Sequence, residues 1–130
     1  MKIQRHKSKY IMFKKIMRKL AGVIVTYQAN RIYLKAVANA EKRWEKERTR
    51  IYVTEDPLKP RRLVTINRSE WRTLKEMMRI RRSSYSIIQL KAGAYYYTGD
   101  KSGRDSLSIK EKEVRRLAFV RMNLRRAKLV

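Results

Sequence analysis

Apolar side chains recur through the first third of the chain in alternating steps of four and three. Ile16, Leu20, Val23, Tyr27, Asn30, Leu34, Val37, Glu41 and Trp44 mark the repeat, and seven of these nine are apolar. That spacing lays one stripe along a helix. It predicts a long helix from about Tyr10 to Arg48, with Gly22 as the place where it could bend. Asn30 falls inside the stripe, where a polar side chain can fix register against a partner helix. The β-branched run Val23-Ile-Val-Thr leaves a short strand over Gly22–Tyr27 as the competing reading. Residues 1–10 are polar and basic, and read as an extended arm.

The pattern then changes. Arg50–Thr54 and Arg62–Ile66 are short β-branched runs around a turn with two prolines, which predicts a hairpin. Asn67 followed by Glu70 has the form of a capping box. It opens a helix to about Arg81 with Trp71, Leu74 and Met78 on one stripe. Tyr85–Thr98 reads as a strand with a bulge near Gly93, and Thr98–Asp105 as a turn-rich loop. Ser108 and Glu111 form a second capping pattern. The helix behind it runs from about Ile109 to Ala127, with Val114, Leu117, Val120 or Arg121, and Leu124 inward. The predicted class is α+β: a long N-terminal helix, a small antiparallel sheet of one hairpin plus one strand, a central helix and a C-terminal helix. Three segments follow: residues 1–48 as basic arm and docking helix, 49–107 as a small α+β body, and 108–130 as a basic C-terminal helix.

Charge changes the picture more than composition does. The chain has 35 Lys and Arg against 11 Asp and Glu, a formal net charge of +24. Residues 1–40 hold ten basic residues and no acidic one, and residues 114–130 hold six and none. Such a balance repels itself unless a polyanion neutralises it. The candidate contacts are the clusters Lys14-Lys15, Arg18-Lys19, Arg61-Arg62, Arg79 with Arg81-Arg82, Arg115-Arg116 and Arg125-Arg126. Paired cations suit successive phosphates, and arginine can hold one bidentately. No helix-turn-helix, zinc finger, RNP signature or GXXG loop accompanies them, so the expected contact is to phosphate and not to base sequence. Acidic protein surfaces inside an assembly are the alternative partner. Nearly forty helical residues exceed what a small body can cover. Ile16, Leu20, Val23, Tyr27, Leu34 and Val37 are therefore expected to dock on another subunit. Tyr95 and Tyr97 could join a protein interface or stack on bases, with core packing as the plain alternative.

Other chemistry is thinly represented. There is no cysteine, and the single histidine, His6, lies among lysines. A zinc site cannot be built from one histidine and no thiolate without carboxylates, and no metal or cofactor is expected. Gly99-Asp-Lys-Ser-Gly103 lacks the spacing of a phosphate-binding P-loop. The serines have no histidine to activate them. The longest uncharged run, Leu20–Asn30, is eleven residues, too short to span a bilayer, and no membrane partner is expected. The basic start followed by Leu20–Val25 imitates a cleavable targeting segment but is read as helix. An enzyme is not expected.

The acid-free start Met1-Lys-Ile-Gln-Arg-His-Lys-Ser-Lys9 and the core Arg50–Asn67 resemble, in style, small basic virion proteins of tailed bacteriophages, including the crAss-like group. The resemblance implies a structural protein of a virion, at the capsid, at the portal vertex or packaged inside near the genome. A ribosomal-type protein, or a free-standing nonspecific binder of DNA or RNA in the cytoplasm, fits the charge as well.

Overall fold

The computed structural model describes residues 2–56, 58–59, 61–77 and 86–130, with side chains of the first helix from Ser8 onward. Helix α1 spans Lys2–Glu47, and strands β1 (Tyr52–Glu55) and β2 (Leu63–Ile66) follow. Helices α2 (Arg68–Met77) and α3 (Ile87–Gly93) precede the short strand β3 (Tyr96–Tyr97) and the closing helix α4 (Ile109–Arg126). The sheet order is β2-β1-β3, antiparallel throughout, with Tyr52 opposite both Ile66 and Tyr97. The fold is α+β with a long N-terminal helix, as the pattern predicts.

Two elements differ from expectation. The N-terminal arm is helical from Lys2, and α1 passes through Gly22 without interruption. No proline or glycine precedes Gly22, and lysine, arginine and glutamine are good helix formers, so nothing stops the helix early. The strand expected over Tyr85–Thr98 is a helix for much of its length. Ser86 accepts a hydrogen bond from the Gln89 amide while the Gln89 side chain accepts one from the Ser86 amide, a complete capping box. That local signal overrides the β-branched pair Ile87-Ile88. Only Tyr96–Tyr97 keeps strand pairing, extended by Tyr95 N–H to Val53 O (2.9 Å) and Thr98 N–H to Ile51 O (3.0 Å). Tyr85, Met78 and the end expected for the central helix near Arg81 lie outside the described residues.

One hydrophobic core joins α1, the sheet, α3 and α4. Helix α1 presents Ala29, Tyr33, Ala36 and Ala40, and the three alanines let the sheet and α4 approach closely. Helix α4 answers with Phe119 and Val120. Val120 and Leu124 of the expected stripe face inward, Phe119 joins them, and Val114 and Leu117 are exposed. Arg43 on α1 ties the edges together, donating to Thr65 O (2.7 Å), Glu47 (2.6 Å) and Glu70 (2.6 Å). Glu70 also caps Asn67, whose Oδ1 accepts the Glu70 amide at 2.8 Å. The loop after β3 docks on Trp44, whose Nε1 donates to Asp100 O (2.9 Å). Gly99 is required there, because a Cβ would stand 2.8 Å from the Gly103 backbone. The Gly99–Gly103 segment is a turn in which the Asp100 carboxylate accepts from Ser102 and Arg104.

Candidate polyanion-binding surface

The fold consumes some of the expected phosphate-binding cations. Arg115 donates to the carbonyls of Lys91 and Ala94, closing the end of α3, and lies 5.2 Å from the Tyr97 ring. Arg116 donates to Asn30 Oδ1 (2.5 Å) and pairs with Glu113. Arg126 pairs with Glu55 across the sheet. These three are fastened to the body, so part of their charge is engaged within the fold. Asn30 is likewise engaged by α4, so it sets register within this chain. Arg79, Arg81 and Arg82 lie outside the described residues.

The remaining clusters stay exposed. Arg61 and Arg62 occupy the β1–β2 turn. Lys14, Lys15, Arg18 and Lys19 point to solvent from α1, and Arg125 from α4. Helices α1 and α4 run antiparallel: Arg116 meets Asn30, and farther along α4 its end meets Arg18, whose Nη2 donates to Lys128 O at 3.3 Å. The fold thus brings the two acid-free ends of the chain to one place. Sequence reasoning did not name Lys128; its signal was the acid-free tail itself.

The docking stripe divides in two. Ile16, Leu20, Val23, Tyr27 and Leu34 are all more than half exposed, and Val23 and Tyr27 border a groove against Leu124, Leu129 and Val130 at the end of α4. Val37, by contrast, packs against the core. A seven-residue repeat drifts about 20° per heptad around a straight helix of 3.6 residues per turn. The stripe consequently winds from the outer face toward the body, and its members Val37 and Trp44 are absorbed. Tyr97 is a core residue, buried beside Tyr52, and the half-buried Tyr95 packs against the core, meeting Phe119 edge-on at 5.1 Å.

Every carboxylate except Glu76 accepts a hydrogen bond or ion pair from the described residues. Bonds from Arg43, then Asn67, hold Glu47 below the ordinary carboxylate range, and a bond from Arg126 does the same for Glu55. Glu113 is lowered by Arg116, Asp105 by Lys91 and Arg50, and Asp100 by the Arg104 amide. Depressed carboxylates stabilise the fold fully above their unfolded values, 4.5 for Glu and 3.8 for Asp, and lose that contribution as pH falls through the folded ones. The urea midpoint is therefore expected to hold between about pH 7 and 5 and to fall steadily below about pH 4.5. An unchanged midpoint at pH 3 would contradict this. At the other limit burial raises Tyr33 to about 12, so its stabilising contribution, complete below 10, is lost as pH climbs toward 12.

Comparison of the chain with protein-family models, curated proteins and solved structures gives no match.

Proposed function

We propose that this chain is a non-catalytic, basic structural component of a large nucleoprotein assembly. The setting that the sequence resemblance implies is a phage virion, at the capsid, at the portal vertex or inside with the genome. The observation that carries the reading is the sorting of charge. Carboxylates are engaged within the fold, while most cations stay exposed, and where α1 and α4 meet Lys14, Lys15, Arg18 and Lys128 stand together with no acid among them. Such a surface attracts phosphate without reading sequence. The exposed stripe Ile16–Tyr27 favours an assembly component over a free-standing binder, because monomers rarely leave so long an apolar face uncovered.

Titrating the purified chain with a DNA duplex at several salt concentrations tests this. With six phosphate contacts the affinity falls about 10³-fold from about 50 mM to about 200 mM salt. A flat dependence would overturn the reading.

A further inference from the structure

The chain just beyond α4 places a cation at a left-handed backbone position. Helix α4 ends in a Schellman motif: Leu129 N–H donates to Leu124 O (2.9 Å) and Lys128 N–H to Arg125 O (2.9 Å). Lys128 occupies the left-handed position of that motif, at φ 57°. This position normally belongs to glycine, because a Cβ is unfavourable there. The side chain kept at this cost is cationic and exposed. Its carbonyl is held by Arg18, which brings the end of α4 onto the cationic face of α1.

Between them lies a groove of about 560 Å³, bounded by Lys14, Lys15, Arg18 and Lys128 with Ile11 and Leu129. Lys14 and Arg18 are one helical turn apart, as are Lys15 and Lys19, so the α1 side carries two parallel rows of cations. None of the described carboxylates pairs with these cations, and residues 1–40 and 114–130 contain no acid to do so. The negative end of the α4 dipole tempers the positive field only locally, within the last turn.

We infer that this groove is the phosphodiester-binding site of the protein: a nucleic-acid backbone lies between the α1 cations and Lys128. The inference rests on the reading of the chain as a nucleoprotein component, and names where its polyanion sits. The turn cations Arg61 and Arg62 are left outside it.

The decisive variant is Lys128→Gly, which removes the charge and relieves the left-handed backbone together. Thermal unfolding is expected to shift up by about 2–4 °C, while DNA affinity falls and the slope of log K against log salt becomes shallower by about 0.9. Lys110→Ala, at the other end of α4, is the charge-matched control and should leave the slope unchanged. Lys14→Ala with Arg18→Ala should flatten it by about 1.8. Probes are a DNA duplex, an RNA duplex and polyglutamate.

Equal losses in Lys128→Gly and Lys110→Ala would overturn the groove and leave diffuse charge, with the general reading intact. A lowered melting temperature in Lys128→Gly would make Lys128 a helix cap and overturn the argument from strain. Binding of polyglutamate in preference to both duplexes would overturn the phosphodiester assignment. A wild-type chain that binds neither duplex would remove the nucleoprotein reading itself.

Discussion

Phe119→Ala is expected to destabilise the fold by about 3–5 kcal/mol, the range for deleting a buried phenyl ring. Phe119 is 1% exposed and packs between α1 and the segment leading into β3. Its ring meets Tyr95 at 5.1 Å beside the sheet and Tyr33 at 6.2 Å on α1. The cavity left by alanine cannot readily collapse. Tyr33 is pinned by its hydroxyl, which donates to Tyr95 O at 2.8 Å, and the Tyr95 amide is pinned to Val53 O. A site that cannot relax keeps both the lost transfer energy and the cavity term.

The measurement is urea or thermal unfolding against Leu117→Ala, a change two residues away on the exposed side of the same helix. Leu117→Ala should stay within about 0.5 kcal/mol of wild type. The melting temperature of Phe119→Ala should fall on the order of 10–20 °C. Marginal domains hold only about 5–15 kcal/mol in total, so this one ring accounts for a large fraction of what keeps α4 against α1. If the two variants unfolded alike, α4 would not be fixed to α1 through this cluster. The meeting of the two cationic ends would then lose its structural basis.

Local chemistry made much of this fold legible from sequence. The Asn67–Glu70 box opens α2, and Ser108, accepting from the Glu111 amide at 3.1 Å, opens α4. The hairpin was marked by two β-branched runs around a turn. Ser86–Gln89 is an equally local box that the β-branched pair Ile87-Ile88 masked. What local reasoning could not supply is pairing at a distance. Arg116 reads as one half of a basic doublet, and its bond to Asn30 joins residues 86 positions apart. Arg126 meets Glu55 across 71 positions. A cation spent internally and a free one are the same letter in sequence; only the fold separates Arg126 from its neighbour Arg125. The apolar stripe of α1 was visible, but its division into outer and inward parts depends on where the drift meets the body.

That outer part sets the last expectation, a self-association gated by salt. Ile16 (55% exposed), Leu20 (51%), Val23 (66%) and Tyr27 (62%) leave an apolar face that in water favours burial. The net charge of +24 opposes bringing two copies together. The repulsion acts over the Debye length, about 10 Å at 0.1 M salt and about 3 Å at 1 M. Lys14 and Arg18 lie on the opposite side of α1 from the stripe, Met17 and Ile24 flank it, and Lys19 and Arg31 stand at its margins. Once long-range repulsion is screened, the charges left near the face are these two, and the apolar side chains can meet between them. Sedimentation velocity is therefore expected to give a monomer near 0.05 M salt and larger species near 1 M. Leu20→Gln with Tyr27→Gln should abolish the larger species, keep the helix, and leave unfolding within about 0.5 kcal/mol of wild type, since both side chains are exposed. Monomers at both salt concentrations, or association unchanged in the double variant, would refute the gating. Phosphate binding at the opposite face neutralises the same charge that salt screens. If the proposed nucleic-acid contact at the groove holds, its occupancy would lower the barrier to docking of a second copy at the stripe, linking the two surfaces through a single helix.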